Sequence, residues 1–110
     1  MVSDILQQYV AGLNSGNADK VAALFAESCD FVDGGARPFD FPDVVASGRE
    51  AVREAFRGVF ETYEVKAKIV KLNPNSMEYD VFLAGLEIPC IGTATLDEQG
   101  KIKEYLVRPR

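Results

Sequence analysis

Asp33 is the residue best suited to proton chemistry, in the run Cys29-Asp30-Phe31-Val32-Asp33-Gly34-Gly35. Strand alternation puts Asp33 on one face with Cys29 and Phe31. A carboxylate beside apolar groups has its charged form disfavoured, so its pKa rises and it becomes a better base near neutral pH. A second role is open to the same residue. An aspartate before Gly-Gly commonly closes a turn through a local hydrogen bond. The residues alone favour the turn. Tyr9 shares a helical apolar face with Ile5, Leu6 and Leu13. Its hydroxyl, once buried, needs a partner. That partner is a backbone carbonyl if Tyr9 is core, the reading these residues favour. It is a substrate oxygen gaining negative charge if Tyr9 lines a site. Asp80 alternates with Glu78, Phe82 and Ala84, while Met77, Tyr79, Val81 and Leu83 form the more apolar face. The apolar face is the expected core face, which leaves Asp80 outside a pocket.

Other chemistries lack their residues. The chain has no histidine, so Ser-His-Asp and Cys-His pairs and the usual zinc sites are missing. No metal and no cofactor is expected. Cys29 and Cys90 are two thiols far apart, which make no disulfide framework and read as buried and inert. Gly34-Gly35 is a short turn, not a phosphate loop. A net charge of −5 over 110 residues argues against nucleic acid as a partner. Lys66, Lys68 and Lys71 read as a solvated strand face. No apolar run is long enough to span a membrane. The start MVSDILQQYV lacks the basic and apolar regions of a signal peptide. A cytoplasmic protein is the expectation, organised as a single domain over 1–110.

The elements that must position these residues follow from periodicity. Val2, Ile5, Leu6, Tyr9, Val10 and Leu13 predict an amphipathic helix. Asn14-Ser15-Gly16-Asn17 breaks it, and Asn17 can cap a second helix predicted to reach about Glu27. A strand is predicted over Cys29–Asp33. The loop from Gly34 to Ala46 is long for a compact domain and suits a binding loop. In it Phe39 and Phe41 either cover a pocket mouth or pin the loop down. Ser47-Gly48-Arg49-Glu50 reads as a capping box. The helix after it carries Val52, Phe56, Val59, Phe60 and Tyr63 as its stripe. Four strands follow, over Val65–Leu72, Ser76–Leu86, Ile88–Leu96 and Ile102–Arg108. Short turns between them predict an antiparallel meander. Three helices before a meander make an α+β fold. A sheet curling around its helices leaves a cavity suited to an apolar ligand.

Several runs resemble ketosteroid isomerases and the wider SnoaL-like and NTF2-like superfamily. They are Gln8-Tyr9-Val10-Ala11-Gly12-Leu13-Asn14-Ser15-Gly16, Val21-Ala22-Ala23-Leu24-Phe25-Ala26 and Phe31-Val32-Asp33-Gly34. Gly48-Arg49-Glu50-Ala51-Val52-Arg53 and Gly100-Lys101-Ile102 share the likeness. The resemblance implies three helices packed on a curved antiparallel sheet, forming a cone-shaped barrel with an apolar pocket. It also implies a homodimer, paired through the outer face of the sheet. It places Asp33 as the general base and Tyr9 as the donor to an enolate oxygen, and with it the functional role of Asp33 becomes the favoured one. Counting back from Gly100, it places Gly92 where the family has a second acid, so one donor is absent. The implied activity moves a proton next to a carbonyl of a small apolar substrate. A SnoaL-like cyclase or hydrolase, or a non-catalytic binding or dimerisation domain, is the alternative. Phe25, Phe31, Phe56, Phe60, Phe82 and Gly92 are the expected substrate-binding residues. Phe25, Phe56, Phe60 and Phe82 are expected as core first and lining second.

Overall fold

A computed structural model describes residues 1–110. The chain forms α1 (Val2–Ser15), α2 (Ala18–Ala22), β1 (Phe25–Asp33), a short 3-10 turn at Arg37–Phe39, β2 (Val44–Ser47) and α3 (Arg49–Thr62). The strands β3 (Lys66–Leu72), β4 (Ser76–Leu83), β5 (Leu86–Leu96) and β6 (Ile102–Pro109) complete it. Helix α1 buries Leu6, Tyr9, Val10 and Leu13, the apolar stripe its periodicity predicts. It ends on Gly16, whose left-handed φ of 66° costs a glycine little. Asn17 caps α2 by accepting the backbone N–H groups of Asp19 and Lys20.

The second helix is shorter than its sequence predicts. It stops at Ala22, and Phe25 opens β1 instead of extending the helix to Glu27. Long-range bonds decide this. The Leu24 carbonyl accepts the Ile102 N–H at 2.9 Å, and Phe25 pairs with Ile102. The capping box is a second correction. Gly48, not Ser47, precedes α3, and no side chain caps the helix. Ser47 ends β2, and its hydroxyl donates to Asp30 at 3.0 Å.

The strands form one sheet in the order β2-β1-β6-β5-β4-β3. β3 to β6 make the expected antiparallel meander. The β4–β5 hairpin turns on Ala84 and Gly85, both with positive φ, as a two-residue hairpin turn requires. The sheet as a whole is mixed, not antiparallel, because β1 runs parallel to β6. It is also open rather than a closed barrel, since the edge strands β2 and β3 do not pair. The end of the expected 34–46 loop, from Val44, is in fact an edge strand, with β2 antiparallel to β1.

The helices pack on one face of this sheet. Between them lies a core rich in aromatic rings. Tyr9 and Tyr105 approach to 4.7 Å between centroids, and Phe31 stacks on Tyr105 at 5.9 Å. Phe56 brings α3 onto the same cluster, 5.4 Å from Phe31 and 6.0 Å from Tyr9. Such contacts add roughly 0.5–1.5 kcal/mol each beyond area burial. The cluster therefore fixes where α1, α3 and the sheet sit around the space they leave.

Candidate functional site

That space is a cavity of about 260 Å³ between α1, α3, the 34–43 loop and the inner face of the sheet. α1 contributes Tyr9 and Leu13, α3 contributes Phe56 and Val59, and Tyr63 follows at the C-cap of α3. Strands β1 and β4 contribute Phe31 and Asp33, and Tyr79, Val81 and Leu83. The loop adds Phe41 and Pro42. One lining residue carries a carboxylate, Asp33, and none carries a cation.

Asp33 ends β1 and lines the cavity, and it makes the turn bond expected of an aspartate before Gly-Gly. Its Oδ1 accepts the Gly35 N–H at 2.9 Å, the turn bond. Its charge nevertheless lies in apolar surroundings. Burial raises its pKa above the ordinary aspartate value, the Gly35 hydrogen bond opposes this, and the charge of Asp43 adds to the rise. Gly35 is held close by its neighbours. A Cβ there would lie 2.7 Å from Cys90 Sγ and 3.2 Å from Asp33 Oδ1. A side chain at 35 would push directly on the carboxylate.

Tyr9 is 1% exposed and its ring faces Tyr79 and Tyr105. Tyr105 donates its hydroxyl hydrogen bond to Tyr79 at 3.2 Å. Burial raises the Tyr9 pKa well above the ordinary phenol value, Tyr105, Asp33 and Cys90 add to it, and a hydrogen bond with Tyr79 offsets part. Tyr79 and Tyr105 are raised in the same way, burial first. All three phenols are held protonated, so they are neutral donors beside a half-buried carboxylate. Tyr79 and Tyr105 were not singled out from the sequence as site residues. The available signal was the inward alternation of Tyr79 with Met77 and Val81.

The other expected residues separate. Phe31 and Phe56 line the cavity. Phe25 is fully buried behind it, edge-on to Tyr9 and Phe31, and is core. Phe60 packs on Phe56 at 5.7 Å but lies outside the lining. Phe82 sits on the outer face of β4 and is 37% exposed, because alternation turns it away from Val81 and Leu83. Gly92 is on the inner face yet does not line the cavity. Its missing side chain makes room for Tyr105, whose hydroxyl would be 2.1 Å from a Cβ at that position. Asp80 faces outward and pairs with Arg110 at 2.9 Å. Of the loop phenylalanines, Phe41 lines the cavity and Phe39 does not.

The cysteines are buried and unpaired. Burial pushes the Cys90 thiol up to about 12, so it carries no thiolate near neutral pH. No group of three or more metal-ligating side chains is brought together. No helix is long and apolar enough to cross a membrane.

Fold and site together define an α+β domain built around an apolar pocket with one half-buried acid. The chain belongs to the SnoaL-like domain family, whose model matches residues 6–105. Solved structures share the fold. An NTF2-like protein of unknown function from Cytophaga hutchinsonii ATCC 33406 is similar at TM-score 0.74 and 18% identity, over 100% of this chain and 90% of that one. A candidate ketosteroid isomerase from Kribbella flavida DSM 17836 is similar at TM-score 0.75 and 13% identity, over 99% of this chain and 77% of that one. A conserved bacterial protein of cystatin-like fold from Silicibacter pomeroyi DSS-3 is similar at TM-score 0.70 and 19% identity, over 96% and 73%. A search of curated proteins finds no match.

Proposed function

We propose that the domain moves a proton next to the carbonyl of a small apolar substrate through an enolate. The observation that carries this is a carboxylate, Asp33, opening into an apolar cavity whose other hydroxyl-bearing residues include Tyr9 and Tyr79. The steps follow from the chemistry of these groups. The Asp33 carboxylate takes a proton from the carbon between a carbonyl and a carbon–carbon double bond. The electron pair left behind delocalises, and the carbonyl oxygen gains negative charge. Tyr9 donates a hydrogen bond to that oxygen, with Tyr79 and Tyr105 behind it. The Asp33 carboxylic acid then returns the proton to the far carbon, and the double bond ends conjugated to the carbonyl. The raised pKa of Asp33 suits it to take and return a proton near neutral pH. The resemblance puts the family's second acid at position 92, where a Cβ would meet the Tyr105 hydroxyl at 2.1 Å. Enolate stabilisation then rests on phenols alone.

The test is isomerisation of β,γ-unsaturated ketones followed by ultraviolet absorbance. A one- or two-ring ketone is used beside a 5-ene-3-ketosteroid, because a cavity of about 260 Å³ is small for a pocket. Turnover that falls on the order of a hundredfold or more in Asp33→Asn supports the reading. Tyr9→Phe is expected to cost a similar factor. No turnover by folded wild type removes this chemistry.

A second reading, a non-catalytic binder, is favoured by the Asp33–Gly35 bond, which gives the carboxylate a turn-closing role. Ligand binding unchanged in Asp33→Asn, without turnover, supports it. We also infer a homodimer paired through the outer face of the sheet. Val45, Val32 and Leu106 lie in one row across β2, β1 and β6, and Val45 is 68% exposed.

A further inference from the structure

The charge balance of the cavity points to a second kind of ligand. Asp33 is the one carboxylate in the lining, and no lysine or arginine reaches it. Its one hydrogen bond within the protein is the Gly35 N–H at Oδ1. The nearest arginine in the chain, Arg37, is committed elsewhere. Its Nε and Nη2 donate to both carboxylate oxygens of Asp43, the former at 2.9 Å and the latter at 2.6 Å. Arg110 is likewise held by Asp80.

Titratable groups face Asp33 from every side. The Asp33 charge raises the pKa of Tyr9 of α1, Tyr79 of β4, Cys90 of β5 and Tyr105 of β6, and Asp43, at the end of the loop, raises that of Asp33. Tyr63, at the C-cap of α3, faces the same space. None of these groups is a cation. Burying a carboxylate without a partner is unfavourable, so a ligand that brings the missing charge gains what the protein withholds. The walls also suit a cation. Tyr9, Phe31, Phe41, Phe56, Tyr63 and Tyr79 present six aromatic rings around the cavity. Ring faces attract ammonium groups, more strongly when water is excluded.

We infer that the cavity binds small hydrophobic amines as monocations, with the ammonium on Asp33 and the hydrocarbon body among the aromatic rings. This goes beyond the enolate reading and does not rest on it, since it needs the cavity and the carboxylate but no proton transfer to carbon. An ammonium donates to the Asp33 oxygens and has no carbonyl for the phenols to serve. Amines therefore compete with a ketone substrate for the same space. Carboxylate ligands are excluded by like charge.

Three ligands of matched shape test it: 2-aminotetralin, 2-tetralol and tetralin-2-carboxylate, titrated into the full chain by calorimetry at pH 7. The amine is expected to bind on the order of tenfold or more tighter than the alcohol, the scale of a charged hydrogen bond in a dry site. The carboxylate is expected to show no binding. Asp33→Asn keeps an acceptor oxygen for Gly35 and removes the charge. In it the amine preference disappears while alcohol binding stays. Equal affinity of amine and alcohol for wild type overturns the inference. So does an amine preference that survives in Asp33→Asn. If that variant fails to fold, the wild-type preference is followed downward in pH. It is expected to vanish as Asp33 takes up a proton, and a preference constant with pH overturns the inference. Ketone turnover is measured separately. Its absence sinks the enolate reading and leaves the amine preference standing or falling on the titrations.

Discussion

Replacing Gly92 with alanine perturbs the aromatic core behind the cavity without replacing either proposed catalytic group. A Cβ at 92 would stand 2.1 Å from the Tyr105 hydroxyl, 2.7 Å from its Cζ and 3.0 Å from Cε1. Real Cβ atoms do not come so close, and the obstacle is not the loose end of a flexible chain. Tyr105 is 1% exposed, stacks on Phe31 and donates to Tyr79. Its ring must shift against packed neighbours, which costs about 1–3 kcal/mol. The Tyr105–Tyr79 hydrogen bond goes with it, about a further 1 kcal/mol. The sum, about 2–4 kcal/mol, is a large share of the roughly 5–15 kcal/mol typical of a domain. It corresponds to a fall in Tm of about 10 °C or more for a chain of this length. Urea unfolding followed by circular dichroism measures it. Tyr105→Phe removes the 2.1 Å contact but leaves the ring carbons in place. Gly92→Ala is therefore expected to cost less in the Tyr105→Phe background than alone, with a coupling of about 1 kcal/mol. Gly92→Ala within about 0.5 kcal/mol of wild type, or a strictly additive double variant, would refute the packing argument. By the same reasoning Gly92→Asp supplies no second acid, because its carboxylate has nowhere to go while Tyr105 is in place.

Asp33 carries a trade between stability and reactivity. Its folded pKa lies above the unfolded value, so its contribution to stability is full below the unfolded pKa and is lost as pH rises through the folded one. Asp33→Asn is expected to be more stable than wild type at pH 7, with the gap closing toward acid pH; equal or lower stability at pH 7 contradicts the burial of the charge. Asp43→Asn removes a like charge that raises the Asp33 pKa, so the acid limb of the kcat/KM profile for ketone isomerisation should move to lower pH. An unmoved limb would show that Asp43 is screened from the carboxylate. Val45→Glu places a charge on the outer face of the sheet. Sedimentation is expected to report dimers for wild type and monomers for this variant, and a dimer that persists in it assigns pairing to another surface.

The alternation of β1 put Asp33 on the face of Phe31 and Gly34-Gly35 marked its turn, because both signals are local; the resemblance, not these residues, favoured a functional role for it. The stripe of α1 located Tyr9 on the buried face for the same reason, and alternation in β4 separated inward Tyr79 and Val81 from outward Asp80. Phe82 shows the limit of residue type as a guide. A phenylalanine reads as core or lining, but its parity in β4 sends it outward. Tyr105 escaped notice because its importance depends on Gly92, across the β5–β6 pairing, and a glycine in a strand reads locally as a bend.

The sequence by itself determined the three helices and their order, the four-stranded meander, the absence of histidine chemistry and the strand face that Asp33 shares with Phe31. Each of these is written in side-chain period, turn residues or composition, within a few positions of where it acts. Only the tertiary structure decided that Phe25 joins a strand, that β1 lies parallel to β6, that β2 extends the sheet and that the sheet stays open. It also decided that Arg37 spends its charge on Asp43 and leaves Asp33 unpaired. These outcomes depend on partners tens of residues away, such as Leu24 with Ile102. A backbone segment of mixed propensity takes whichever hydrogen bonds the rest of the fold offers it.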